Sequence, residues 1–296
     1  MPSSTRPALV RALALAVALV LLAAGCSEGA GLSGSPDPTE RERSTTTAEA
    51  TTEVVAGESL TTEVAAAKGA VVHIHTTIPD PEIAATAPAS ATPPVATKAA
   101  VLPIPRDGYG SAGVRKTAEG WEFDNPTYFG HPLVFVVTAE HEGWLRVMVP
   151  ARPNGQQGWV DGDEVTRSTH TYRVELTLGD FTLKAYDGAE VFAETKVVIG
   201  KGTTPTPTGT FYITEALPRG QGNPGGAYGA WILPTSGYSE AMNEFDGGLP
   251  VTALHGTNTP GAIGTAVSNG CVRMPDEVIS QLAERLPPGT PVIVKP

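Results

Sequence analysis

Glycine and proline set the terms for this chain. There are 33 of one and 27 of the other, more than a fifth of 296 residues. Much of the chain must therefore be loop, turn or linker, and its regular elements must be short. Between these breaks the apolar residues recur at period two, the pattern of half-buried strands. THTYRVELTLGDFTLKAYDGAEVFAETKVVIG reads as a β-meander turning at Gly179-Asp180 and Asp187-Gly188. GTTPTPTGTFYIT, AWILPTS, VTALHG and the closing PVIVK add further short runs. One segment breaks this rule. PDEVISQLAERL, residues 275–286, places Val278, Ile279, Leu282 and Leu286 on one helical face. Pro275 suits the first helical position, Asp276 and Glu277 suit a positive N-terminus, and Pro287-Pro288-Gly289 ends the helix. The fold class expected is mainly β, with a single helix near the C-terminus.

Composition excludes several functions. Aromatic residues make up 6% of the chain, too few to fill a packed core along its whole length. A net charge of −11 argues against nucleic-acid binding, which needs clustered Lys and Arg. No G-x-x-x-x-G-K-[ST] loop and no G-x-G-x-x-G opening a helix is present, so nucleotide folds lose their main support. Two cysteines cannot build a disulfide-dense scaffold or a four-cysteine zinc site, and no metal or organic cofactor is expected.

The N-terminus reads as an export signal. Arg6 and Arg11 precede the apolar stretch ALALAVALVLLAAG, which is short for a membrane span. Residues 1–25 are the expected signal peptide. Cys26 follows Leu22-Ala23-Ala24-Gly25, which resembles the lipobox of bacterial lipoproteins, in which the cysteine is diacylated. Processing there removes two arginines and no acids, taking the charge from −11 to −13. It also leaves Cys271 as one unmodified thiol in an oxidising compartment, which singles that residue out.

Residues 26–97 are expected to be a tether. SPDPTERERSTTTAEATTE is polar and PDPEIAATAPASATPPVATK is Pro- and Ala-rich. About 70 extended residues at roughly 3 Å each reach on the order of 200 Å. VVHIHTTI, residues 71–78, interrupts this region as a partly exposed short strand, with His73 and His75 on one face. Residues 98–168 change composition. EGWLRVMVPARPNGQQGWVDGDEVT reads as strand, loop at Pro153-Asn154-Gly155, and strand. With Trp144-x-x-Val147 before the loop and Gly158-Trp159-Val160 after it, this region resembles the SH3-like β-barrels that sit beside catalytic domains in bacterial wall enzymes.

Residues 169–296 carry the chemistry, concentrated in LHGTNTPGAIGTAVSNGCVRM. His255 ends an apolar strand, and Cys271 lies sixteen residues later in a Gly-flanked turn just before the helix. A cysteine nucleophile needs a base or cationic neighbour and access to substrate. Gly261 and Gly264 allow the intervening loop to fold back and bring the two together. The helix start four residues on favours negative charge, and its backbone N–H groups are candidate oxyanion donors.

His255-Gly256, then Ser268-Asn269-Gly270-Cys271-Val272-Arg273, with Thr206-Pro207-Thr208-Gly209-Thr210-Phe211 upstream, strongly resembles the L,D-transpeptidase catalytic domain. The resemblance implies a β-sandwich-like fold in enzymes of the bacterial cell wall. It implies Cys271 as nucleophile, His255 as base, and the Gly256 carbonyl as the group that orients the imidazole. It implies that Ser268, Asn269 and Gly270 shape the turn and the oxyanion site. Arg273 then holds the motif or binds a substrate carboxylate. Asn269 stands where the family often has histidine, and asparagine does not titrate. Tyr238, Trp231 and Asn258 are candidates to line the donor cleft framed by loops 218–229 and 236–250, with core packing the stronger reading of Trp231. The implied reaction releases D-alanine from a peptidoglycan tetrapeptide stem and joins the acyl group to a second stem in a 3→3 cross-link. The competing readings are an L,D-carboxypeptidase and a lapsed enzyme kept as a wall-binding module. The expected protein is a monomer, held by its lipid at the outer face of the plasma membrane.

Overall fold

The computed structural model describes residues 61–79, 113–219, 226–245 and 247–296. The expected signal peptide, Cys26, residues 27–60 and 80–97 of the expected tether, and residues 98–112 lie outside them. The architecture is mainly β with one α-helix among the described residues, and Val54–Pro296 is one compact unit.

The first body is a single eight-stranded sheet. Its strands are β1 (Thr62–Ala67), β2 (Val71–His75), β3 (Val114–Lys116), β4 (Gly120–Asp124), β5 (Val134–His141), β6 (Trp144–Met148), β7 (Gln157–Asp161) and β8 (Val165–His170). They run in the order β3-β4-β2-β7-β6-β5-β1-β8. Strands β6 and β7 form the hairpin around Pro153-Asn154-Gly155, with Leu145 opposite Val160. Alternation sends Phe123, Phe135, Leu145, Val147 and Val160 into one core.

Here the tether expectation needs correction. Residues 62–75, placed in the tether from sequence, are two interior strands of this sheet. β1 lies between β5 and β8, and β2 pairs with β4. Val64, Ala65, Val72 and Ile74 are buried. The local sequence is too short and polar to show this, because its partner strands lie as much as a hundred residues downstream. His73 and His75 do not converge on a metal. His73 sits 3.4 Å from Glu122, and the His75 ring packs edge-on against Trp144.

The second body begins with the meander β9 (Tyr172–Thr177), β10 (Thr182–Asp187) and β11 (Glu190–Lys196). It continues through β12 (Ile199–Gly200), β13 (Gly209–Tyr212), β14 (Leu217–Pro218), β15 (Trp231–Tyr238), β16 (Val251–His255), β17 (Ala266–Ser268) and β18 (Val272–Arg273). Helix α1 (Asp276–Arg285) and β19 (Pro291–Lys295) complete it. A five-stranded sheet runs β11-β10-β9-β19-β13, and a four-stranded sheet runs β14-β15-β16-β18. Between them lies a core of Leu176, Leu183, Leu233, Leu254 and Val272, closed by Ile279 and Leu282 of α1. Pro275 is the residue capping the helix rather than its first turn, and Leu286 follows its end.

The two bodies meet through buried polar contacts. The Tyr212 hydroxyl donates to the Val134 carbonyl at 3.1 Å, amid Val64, Val134 and Val136. The Tyr238 hydroxyl donates to the Pro150 carbonyl at 2.9 Å, and the Asn154 amide brackets the Tyr238 backbone. Thr127 donates to the buried Glu215 at 3.0 Å.

Candidate active site

Strand register decides which side chains can meet. In the four-stranded sheet, Ile232 lies opposite His255, Leu254 opposite Val272, and His255 opposite Arg273. Side chains alternate across a sheet, so Leu233, Leu254 and Val272 point into the main core. The other face carries Ile232, Ala253 and His255. There Leu217, Ile232 and Ala253 form an apolar patch, and Cys271, Tyr228 and Phe129 pack against it. Cys271 precedes β18 directly, and the backbone of Ala253 hydrogen-bonds its sulfur. The parallel register sets Cys271 level with Ala253, two residues before His255, so the two residues, sixteen apart in sequence, lie on the same face of adjacent strands.

His255 is buried, and its Nδ1 lies 2.7 Å from the carbonyl oxygen of Gly256. A carbonyl only accepts, so this bond fixes the proton on Nδ1 and leaves Nε2 able to take one. The Tyr228 ring lies 4.9 Å from the imidazole. Burial, with a smaller contribution from nearby Arg273, lowers the His255 pKa to about 4 against the opposing Gly256 bond.

The Gly256 bend is tightly held. Asp276, at the start of α1, accepts the Thr257 N–H at 3.2 Å. A Cβ at Gly256 or Gly229 would run into the Asp276 carboxylate, so glycine is required at both positions where the backbones close on each other.

The turn that carries the cysteine is equally built. Thr206, buried in the TPTGTF segment, accepts the Gly200 N–H and donates to the Gly270 carbonyl, both at 2.9 Å. Ser268 is buried, accepts the Gly270 N–H at 3.1 Å and donates to the Cys271 carbonyl at 2.6 Å. Gly270 has φ 113, a conformation side chains resist. Because its N–H is directed at Ser268, Gly270 acts as a turn former and not as an oxyanion donor. Asn269 is exposed and accepts from Lys201 Nζ at 3.0 Å.

Burial pushes the Cys271 thiol above its ordinary pKa, and the Ala253 bond and Arg273 oppose this only in part. Desolvation in so apolar a patch thus works against the charge that Arg273 favours.

Of the three cleft candidates, one is placed differently, and Trp231 follows its stronger reading. Tyr238 does not line a cleft, because it is buried with its hydroxyl bonded to Pro150 at the junction of the two bodies. Its neighbours in sequence are loop-like, and only the tertiary contact reveals the burial. Trp231 packs on the main core. Asn258 lies in the exposed loop after His255 and accepts from Thr259 at 3.1 Å. Arg273 is half-buried, and its Nε is enclosed without a hydrogen-bond partner. Loop 218–229 is described only at its ends. Tyr228, Asp276 and Phe129 were not read as site residues. The Asp276 signal was present, an acid at a helix start beside the motif, but was read as helix capping alone. No group of three or more His, Cys, Asp or Glu suited to a metal occurs among the described residues.

A half-buried cysteine and a buried, carbonyl-anchored histidine at the end of adjacent strands define the class of cysteine–histidine proteins built on a β scaffold. Residues 171–294 match YkuD, the L,D-transpeptidase catalytic domain. The YkuD protein of Bacillus licheniformis is 35% identical over 128 residues, 43% of this chain and 68% of that protein. The YkuD protein of Bacillus subtilis is 33% identical over 153 residues, 50% of this chain and 84% of that protein. The chain belongs to the YkuD L,D-transpeptidase family. A solved L,D-transpeptidase from Enterococcus faecium is 26% identical, with 42% of this chain and 49% of that chain covered and a TM-score of 0.31. The match thus spans about half of that chain.

Proposed function

We propose that this protein is an L,D-transpeptidase that forms 3→3 cross-links between peptidoglycan stems. The observation that carries the reading is the placement of Cys271 and a carbonyl-anchored His255 on one face of the adjacent strands β16 and β18. As Cys271 Sγ attacks the carbonyl between the diamino acid and the terminal D-alanine, its proton passes to His255 Nε2. The C–N bond then breaks, and His255 returns that proton to the departing D-alanine amine. A thioester remains on Cys271. The side-chain amine of a second stem attacks it, gives its proton to His255, and the new amide forms as the thiolate leaves and is reprotonated.

A neutral pair suits this sequence, since the base must be free of a proton before attack. Turn N–H groups, including that of Cys271, stabilise the oxyanion, and Arg273 pairs with a substrate carboxylate through its planar fork. An apolar surround favours attack by an amine over water. The eight-stranded body, which resembles SH3-like modules, supports the catalytic body, and lipidation at Cys26 holds the protein at the outer face of the plasma membrane.

The test is product analysis with full-length protein, wild type and Cys271→Ala, incubated with a disaccharide-tetrapeptide. A dimer lighter by one D-alanine, made by wild type alone, is the expected result. Tripeptide without dimer indicates a carboxypeptidase. Binding with no turnover by wild type sinks the enzymatic reading.

A further inference from the structure

The apolar patch beneath Cys271 is shared with a residue from outside the catalytic body. Phe129 belongs to the loop between β4 and β5 of the eight-stranded sheet, 42 residues before the family match begins at 171. It packs on Leu217, Ile232 and Ala253, the same three residues that Cys271 packs on. Next to it Tyr128 is 56% exposed, the most exposed large apolar side chain among the described residues. Its ring meets Phe129 edge-on, with centroids 5.1 Å apart and planes at 76°.

The loop is built rather than loose. The Asn125 side chain donates to Ala67 O at 3.2 Å and Gly69 O at 2.7 Å, and accepts the Leu133 N–H at 2.9 Å. Thr127 closes it internally, its N–H donating to His131 O at 2.8 Å and its carbonyl accepting from Gly130. Thr127 Oγ1 then donates to Oε2 of Glu215, two residues before Leu217 of the patch. The ends of the loop are thus tied to β1 and the turn after it, and its Thr127 is tied to the connection between β13 and β14. An aromatic ring held out to solvent on such a support, one ring removed from the patch that the nucleophile shares, is a preorganised contact surface for ligand.

We propose that loop 125–133 forms part of the donor-binding wall, with Tyr128 as a platform on which the C–H-rich face of the donor stem lies as its carbonyl reaches Cys271. This rests on the transferase reading above and extends it: the eight-stranded body contributes to substrate recognition and is not only a support.

The test uses the full chain and a tetrapeptide donor, with D-alanine release as the readout. Tyr128→Ala removes the ring, and Tyr128→Phe keeps it. Losing one aromatic contact raises the donor KM about five- to tenfold, while kcat stays within about twofold, because the interaction is equally present in the ground and transition states. Tyr128→Phe behaves as wild type. The melting temperature and the rate of Cys271 alkylation by iodoacetamide are unchanged in both variants, since the ring is exposed and the nucleophile untouched. An unchanged donor KM in Tyr128→Ala, with wild type active, overturns the proposal and leaves the transferase reading intact. Absence of D-alanine release by wild type, with Cys271 still alkylated, overturns that reading and this proposal with it.

Discussion

The eight-stranded sheet and the four-stranded sheet use the same alternation to different ends. In the first, apolar residues face one core and charged residues face water. Its ion pairs are exposed or half-exposed, such as Arg115 with Glu122 and Asp124, and Arg167 with Glu63 and Glu140. In the four-stranded sheet both faces are covered, and the buried polar groups lie on it or beside it: Thr235, Thr252, His255, Ser268 and Glu215. Such burial is costly unless each group is bonded or neutral. The difference teaches where to look for function. Polar groups on the first sheet interact mostly with solvent, whereas those around the second fix a turn, a tautomer or a junction.

The largest expected effect lies at the β18 edge of the four-stranded sheet. Cys271→Ala abolishes D-alanine release, a loss of at least about a thousandfold, while the melting temperature changes little, because the thiol only rests against its patch. Comparable release by this variant would break the contrast at its core.

Glu215 sharpens the contrast next. Burial raises its pKa to about 7, against an ordinary value of 4.5. The native state therefore holds this proton more tightly than the unfolded chain does. The associated stability is full below the unfolded pKa and is lost as pH rises through about 7, a total of about 3 kcal/mol. Because His255 titrates in the opposite sense over the same window, the readout is the difference in melting temperature between wild type and Glu215→Gln, which should shift against wild type as pH rises between those limits. A difference that stays constant across the window would contradict the assignment.

Thr206→Val removes both hydrogen bonds that this hydroxyl makes and leaves the Gly200 N–H and the Gly270 carbonyl unsatisfied. It should cost about 1–3 kcal/mol of stability, and kcat should fall by about tenfold or more as the cysteine turn loosens. Equal kcat in the two proteins would show that the turn holds without it. The smallest effect belongs to the first sheet. Arg167→Ala should barely move the melting temperature, and its effect should fade with added salt, because both partners lie at the surface. A large, salt-resistant loss would erase the distinction between the sheets.

The legible part of the molecule was the part whose chemistry is local. The meander announces itself through two Asp/Gly turns, and the helix through its four-residue apolar face and flanking prolines. His255 and Cys271 stand out because both residue types are scarce here and the motif between them is specific. What stayed hidden depends on partners far along the chain. Residues 62–75 become interior strands only because β4, β5 and β8 cover them. Tyr238 looks like a cleft residue until Pro150 captures its hydroxyl. Phe129 reaches the site by a docking of two bodies that no local pattern encodes. The raised pKa of Cys271 is similarly a product of burial, and the charged neighbour visible in sequence does not reverse it.

If acyl transfer runs through a thioester on Cys271, that species can be trapped. Full-length protein is mixed with tetrapeptide donor in the absence of acceptor amine, quenched in acid, and analysed by intact mass and peptide mapping. The account predicts an adduct of the donor mass less one D-alanine, confined to the peptide containing Cys271. Turnover with no such adduct, or an adduct on another residue, would contradict it.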